Sequence, residues 1–576
     1  MHGPSILRAA TLFALTLICV ACGDASGPSD SGPDGPVVLQ IAAGGGQTGV
    51  VGAALSNPIA VVVTNEEGAP AAGVRVQFQP ASGAGSVSPA NVTTDADGRA
   101  AAAWTLGTVA GEQRLTASAG SASVELVATA SAGPPVTFEI LLDSVSLEPG
   151  MDSVLQFVAR DGYGNANVTT APVWSVDDPS VATVAAGGAI LALSPGRTMA
   201  RARLGALEAS VPVSIGFRFV DVATGYDHVC ATTAGDRVHC WGLTREYQAG
   251  QPRPGVSCES GAFCLTSPRL LTDDVGFDDV APGAQHSCGI ATDAGLYCWG
   301  GNTHLALGLG RIEWAYRTDR PELVDATRSY AAVAADDGWG CALTVHGEVY
   351  CWGRLGAIGA VGAGPVDRPL ALPSPVPFVA IAVGTESACG LDAAGDAYCW
   401  GLNGHGELGL GDANPRTVPE RVASSAVFRQ ISAGGHHSCA VADDGVAYCW
   451  GSNSHGQLGV AGTAGTSSPT AVATTERFTA IAAGGTHTCG VTTAGVAMCW
   501  GSNYEGQLGN GFVGSGPKVR AVAGDLRFIR IHGKRDFTCA VATDDRLYCW
   551  GDNDYGQIGD GSTTDRVAPV RVSGQM

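Results

Sequence analysis

From Val37 to Ile215 apolar and polar positions alternate in short Val-rich runs, broken by Gly, Pro, Asn and Asp, with no helical period. The stretch PIAVVVTNEEGAPAAGVRVQFQP holds two such runs around a turn, and TTDADGRAAAAWTL and RLTASAGSASVELVATA continue the series. Period-two strands at this spacing predict β-sandwiches, one over residues 37–133 and a second over 134–215, separated at Gly133-Pro134-Pro135.

From residue 217 the pattern becomes periodic on a longer scale. Cysteines with nine residues between them recur at Cys230 and Cys240, Cys288 and Cys298, Cys341 and Cys351, Cys389 and Cys399, Cys439 and Cys449, Cys489 and Cys499, and Cys539 and Cys549. The first cysteines advance by 58, 53, 48, 50, 50 and 50 residues; an aromatic (Phe219, Phe277, Tyr330, Phe378, Phe428, Phe478, Phe528) precedes each, and Trp-Gly follows each second cysteine. Seven units of this length, each with three or four short strands, are the pattern of a propeller. The chain is therefore predicted to be all-β, a seven-bladed β-propeller over 217–576 preceded by two β-sandwich domains.

One unit shows what the cysteines do. In CAVADDGVAYCWG, residues 439–451, the turn Asp443-Asp444-Gly445 puts Gly in the left-handed conformation, and counting outward sets Cys439 opposite Cys449. That is a non-hydrogen-bonded pair, the closer cross-strand type and one that fits a disulfide. Gly347, Gly395, Gly495 and Asp545 hold the same turn position, whereas units one and two shift their glycine by one place and leave their register open. With Cys258 and Cys264, in an inserted loop, the region holds 16 cysteines, which pair off evenly. A metal reading is invited by His228, His286, His437 and His487, each two residues before a cysteine. It requires a ligand in every copy, and Trp339, Ser387 and Phe537 stand there in the other three. Disulfides within each unit are expected, with no metal, and the histidines as packed residues bonded to a neighbouring loop. The repeated tryptophans, Trp241 to Trp550, have the faces of a sugar platform, but lying opposite the cysteines they are expected to pack blade against blade.

The full pattern, aromatic-x-x-[I/V]-x-x-G-x-x-H-x-C-x9-C-W-G-x-N-x-x-G-Q-L-G, resembles the regulator-of-chromosome-condensation (RCC1) repeat, which implies a seven-bladed propeller. Residues 37–133 resemble the bacterial Ig-like domains of the invasin and intimin type, and VWSVDDPSVATVAAGGAILALSPGRTMARARLG resembles the other large bacterial Ig-like group; such modules act as spacers or adhesive arms. Neither contains cysteine, so neither carries the intersheet disulfide of antibody domains.

Charge narrows the partners. The net charge is -21, only Lys518 and Lys534 are lysines, and no basic stripe exists, so nucleic acid and anionic membrane surfaces are poor partners. At the N-terminus an apolar run from Ala9 to Ala21 is too short to span a bilayer and has the shape of a signal peptide. Residues 1–22 resemble a bacterial lipoprotein signal, with Cys22 as the lipidated residue, and Gly23 favours the outer membrane; the alternative is simple cleavage near Ala21. Residues 23–36 read as a flexible tether. Membrane association is expected only through that lipid anchor, at the outer membrane or cell surface, or otherwise secretion. An oxidising compartment suits the disulfides.

Repeated residues build the propeller, so a site is expected where repetition fails. The first two units are overlong, and Arg311, Trp314, Tyr316 and Arg317 have the composition of a protein-binding hot spot, with Trp339 on the same side. His405, His455, Tyr504 and Tyr555 are rim candidates on other blades. Catalytic motifs are absent from the sequence, and adjacent acids such as Asp278 and Asp279 point to opposite faces of a strand and read as solvated surface. No catalytic residue and no cofactor is expected. The expected function is a monomeric, anchored or secreted binding protein whose propeller takes a protein or glycan partner. The alternative is a secreted enzyme inhibitor, since the family includes a bacterial propeller that blocks β-lactamases. An enzyme of unknown class lacks a constellation, and the guanine-nucleotide exchange of the eukaryotic namesake is opposed by secretion and by the acidic balance.

Overall fold

The computed structural model describes residues 36–167, 171–252, 256–258, 261–272, 274–354 and 364–576. The signal-like stretch 1–22 with Cys22, and the tether up to residue 35, lie outside the described residues. Every long element is a strand, and among the described residues no helix is long and apolar enough to cross a membrane. The chain divides into two compact units: the described residues up to Leu141 with Phe157–Pro172 and Arg203–Ala209, and Leu142–Gln156 with Val173–Ala202 and Ser210–Met576.

In the first unit alternation becomes burial directly. Strand Arg99–Thr105 turns Ala100, Ala102 and Trp104 inward and Arg99, Ala101 and Ala103 outward. Two antiparallel-rich sheets, one of four strands around Ile59–Asn65 and one of five around Gly111–Ala119, share a single core of Val61, Phe78, Trp104, Leu115 and Leu126. The buried indole needs a partner, and Trp104 Nε1 donates to Ala84 O at 2.8 Å. Residues 134–215 form three smaller sheets whose segments divide between the two units.

The second unit contains seven further antiparallel sheets, six of four strands in chain order and the first of five, whose inserted short strand Val256–Ser257 lies outermost. Blade 5 is typical: Phe428–Ala433 innermost, then His437–Ala442, Ala447–Gly451 and Thr466–Ala471. Cys439 pairs with Cys449 across the hairpin, the two Cα atoms are 4.1 Å apart, and the thiols are joined. All eight expected disulfides are formed, including Cys258–Cys264 in the first blade's inserted loop. The first two blades keep the same register, because nine intervening residues dictate it. Asp236 (φ 58) and Ala294 (φ 66) then occupy the left-handed turn position, with the glycine one place before it in the first blade (Gly235) and one place after it in the second (Gly295). The glycine of Trp-Gly is needed for a different reason: Gly451 lies at φ +103 where a Cβ would stand 2.6 Å from His436 O.

Adjacent blades are joined by a repeated clasp. Thr488 Oγ1 and Trp500 Nε1, both on blade 6, donate to the same carbonyl, Gln457 O of blade 5, at 2.8 and 2.9 Å. Having spent its only proton there, the Thr488 hydroxyl must accept from His437 Nε2 at 2.9 Å, so His437 is the Nε2–H tautomer with Nδ1 bare. The same arrangement links His487 to Thr538 and His228 to Ser287. The bond is thus to a hydroxyl on the next blade's strand, where a neighbouring loop was expected. Burial holds His437 neutral, pushed down to about 3, with His487 at about 4. Trp241 Nε1 reaches Gln557 O at 2.9 Å, so the clasp that joins neighbouring blades also closes blade 7 onto blade 1. The Arg218–Asp545 pair and a parallel bridge from Phe217 to Gln575 reinforce that seam.

Candidate interaction surface

After each CWGxN the asparagine folds a loop onto one face of the ring. Asn503 Oδ1 accepts from Leu508 N at 2.9 Å, and its Nδ2 donates to Phe512 O nine residues on. Asn302, Asn403, Asn453 and Asn553 make the equivalent pairs of bonds. These loops therefore display equivalent tips on the same face, and what differs is what each tip carries. Blades 4, 5 and 7 present Asp412, Gly462 and Ser562. Blade 2 presents Arg311, Ile312 and Trp314, and blade 6 presents Phe512 and Val513 with Tyr504 beside them. Ile312 and Phe512 are each 73% exposed and Trp314 55%. Large apolar side chains held this far into water on rigid loops are the composition of a protein contact.

The predicted residues divide by role. Trp314 leans on His304, with ring centroids 5.3 Å apart, and stays open to solvent. Arg311 lies over the Tyr316 ring at 4.3 Å, while the Tyr316 hydroxyl donates to Glu322 and Arg317 pairs with Glu246 at 2.9 Å. Tyr316 and Arg317 thus brace the loop, and Arg311 and Trp314 face outward. Trp339 does not join this surface: it is 1% exposed, in the blade 3 core, with Nε1 donating to Thr385 O at 3.2 Å. It occupies the position of the clasp histidines, which always faces the next blade. On the rim His455 meets Tyr504 at 6.3 Å and His405 meets His436 at 4.8 Å. Sequence reading passed over Phe512 and Val513, although an apolar pair inside the turn-rich NGFVGSG was a usable signal.

The axis of the ring was not legible in advance. All seven innermost strands line one cavity of about 240 Å³. An innermost strand exposes unpaired backbone groups, and polar side chains from the neighbouring blade supply the missing partners. Asp279 accepts from Val333 N at 2.9 Å, Gln430 accepts from Ile481 N at 2.8 Å, and Ser432 accepts from Ala483 N at 3.0 Å. Thr224 N donates to His532 Nδ1 at 3.2 Å. Asp279 is therefore not the solvated surface acid expected of it; burial pushes its carboxyl up to about 6. At one end Lys534 of blade 7 pairs with Asp336 of blade 3, and Tyr226 of blade 1 donates to Asp336 at 2.9 Å. This ion pair is almost wholly buried and ties blades from different parts of the ring across the axis. Asp279, Gln430, Ser432, His532, Lys534 and Asp336 are thus engaged in holding backbone and blades.

The seam between blades 6, 7 and 1 is acidic. Asp552, Asp554 and Asp565 hold carboxylate oxygens within 4.8 Å of one another, and burial with the neighbouring acids pushes Asp552 up to about 6. Asp227 nearby is countered by Arg535. Backbone N–H groups of Asp554 and Asn553 hold two of the three acids in their loop.

The repeat is matched by the family description "Regulator of chromosome condensation (RCC1) repeat" at residues 219–248, 277–304, 378–407, 428–457, 478–507 and 533–557, and by a second description of the same repeat at 394–441 and 444–491. Among curated proteins the chain is similar to the guanine nucleotide exchange factor SRM1 of Saccharomyces cerevisiae, 29% identical over 30% of this chain and 37% of the relative. It is also similar to the ultraviolet-B receptor UVR8 of Arabidopsis thaliana (30% identical, 25% and 32%) and the human probable E3 ubiquitin-protein ligase HERC4 (32% identical, 24% and 13%). The matched part is thus well under half the length of each relative. Among solved structures, human WBSCR16 aligns with a TM-score of 0.53 at 20% identity over 58% of this chain and 94% of that one. Yeast Prp20p aligns at 0.50 and 21% identity, over 62% and 87%. At these identities the likeness speaks for the fold alone.

Proposed function

Because six stretches between residues 219 and 557 match the RCC1 repeat and the seven sheets form an RCC1-type propeller, we propose that this chain is a binding protein whose blade 2 and blade 6 loop tips dock a protein partner. The observation that carries this reading is the break in repetition on one face, with Ile312, Trp314, Phe512 and Tyr504 standing in water where other blades present small or polar groups. The solved yeast Prp20p is described with binding to Gsp1p and histones; what is taken from it is that such a propeller serves a protein partner. A non-enzymatic role is favoured by the axial carboxylates and hydroxyls being engaged by backbone. Display outside the cytosol is supported by the signal-like residues 1–22 and the eight disulfides, with Cys22 as a lipid anchor and the Ig-like modules as spacers. Chemical cross-linking of the intact chain against envelope and host extracts tests the docking face. A partner captured by the wild type is expected to be lost in Trp314→Ala and in Phe512→Ala. Undiminished capture by both variants, each folded by circular dichroism, refutes the reading.

A further inference from the structure

A groove of about 630 Å³ opens where residues 149–150 and 193–195 meet the first blade and the end of the last one, Ser573–Gly574. It lies within the second unit. Its walls are held in place: Glu148, buried, accepts from Thr233 Oγ1 at 3.0 Å, and Arg237 donates to Pro149 O at 2.9 Å. A preformed cleft of this size between packed modules is the usual setting of a ligand site.

The charge of this groove runs against that of the molecule. The chain carries -21 overall, yet the lining includes the guanidiniums of Arg237 and Arg269 and no carboxylate, with Arg237 set against Glu148 behind the wall. Arg269 is exposed and forms no ion pair among the described residues. Two residues before Ser573, Arg571 lies near Arg197 and near Arg546, which pairs with Asp544 at 2.8 Å. The nearest acid behind the wall, Glu148, is committed to Thr233 and to the field of Arg237.

We propose that this groove binds an acidic oligosaccharide, a sugar chain bearing carboxylates. The guanidinium of Arg269 offers a planar fork matched to a carboxylate. The hydroxyls of Ser267 and Ser573 line the groove without a hydrogen-bond partner among the described residues and suit a ligand rich in hydroxyls. Pro149 and Pro195 supply flat aliphatic faces for the C–H faces of a pyranose. The site is separate from the loop-tip face, and neither depends on the other.

Calorimetric titration of the intact chain with tetragalacturonate tests the proposal, with a neutral galactose tetramer and a glutamate tetrapeptide as the other arms. Tetragalacturonate alone is expected to bind, with an affinity that falls as ionic strength rises. Arg269→Ala should weaken it by about tenfold or more and Arg269→Glu should weaken it further. Arg269 is exposed, so both variants are expected to fold, and Trp314→Ala should bind the sugar as the wild type does. Absence of binding at millimolar sugar, equal binding of the tetrapeptide or of the neutral tetramer, or an affinity unmoved by Arg269→Glu would each overturn it.

Discussion

In the N-terminal sandwich Trp104 sits at the centre of one continuous core and bonds within its own module; in the propeller every tryptophan of the repeat sits between two sheets, and among the described residues six have an indole N–H that reaches a carbonyl contributed by the preceding blade. Core residues divide accordingly. Cys439, Cys449, Leu458 and Val472 of blade 5 share one cluster with Phe478 and Trp500 of blade 6. A blade is thus not a self-sufficient unit, since half of each core belongs to its neighbour, whereas the sandwich completes its core alone. The two regions also differ in chemistry. Residues 37–133 contain neither cysteine nor histidine, while the propeller buries both in its interior.

Removing the covalent part should separate them most. Unfolding and refolding in reductant is expected to lower the propeller's thermal midpoint by roughly 10 °C or more, given about 1 to 2 kcal/mol for each of several short hairpin staples. The sandwich, read by the fluorescence of Trp104, should melt unchanged. Equal shifts in both regions would show that the two stabilities are not independent.

Acid should separate them next. His437, His487 and His532 are held at about 3, about 4 and about 4 by burial, well below the ordinary value near 6.5. Each is neutral when folded and takes up a proton on unfolding, so its contribution is complete above about pH 6.5 and is lost as pH falls toward those values. Asp279 and Asp552, raised to about 6, and Asp221, Asp227 and Glu505, raised in the same sense, work in the opposite direction, but His228 and His286, held at about 3 and about 4, add to the histidine side, which is displaced further from its ordinary value. The propeller's midpoint should therefore fall between pH 7 and pH 4.5, with no matching fall in the histidine-free sandwich. A propeller equally stable at both values would contradict the neutral tautomers.

The smallest effect compares two indoles. Trp500→Phe leaves Gln457 O still bonded to Thr488, whereas Trp104→Phe leaves Ala84 O with no hydrogen-bond donor. The first should cost about 1 kcal/mol for the lost bond and the second about 1 to 3, read from denaturant midpoints. A larger cost at Trp500 would mean that the clasp carries more than its hydrogen bonds.

Much of the architecture was legible in the chain because it is local. Nine residues between cysteines, with one left-handed turn position, leave a single hairpin register, and the spacing of Phe, Cys-Trp-Gly and Asn-x-x-Gly-Gln-Leu-Gly repeats that hairpin around a ring. The candidate surface was only half legible. Trp314 was visible as a departure from the repeat, but Trp339 looked like a departure of the same kind. It lies in the core because its position faces the adjacent blade, whichever residue fills it.

What the sequence by itself determined is the blade: strand alternation, turn type, disulfide pairing and the loop that asparagine folds are all set within about fifty residues. What only the tertiary structure decided is everything that requires two blades at once. The Thr488–His437 tautomer, the Lys534–Asp336 pair across the axis, the polar side chains that cap open strand edges, and the groove beside Arg269 join residues far apart in the chain. Their partners are chosen by the closure of the ring, and no local spacing encodes which distant side chain will stand opposite.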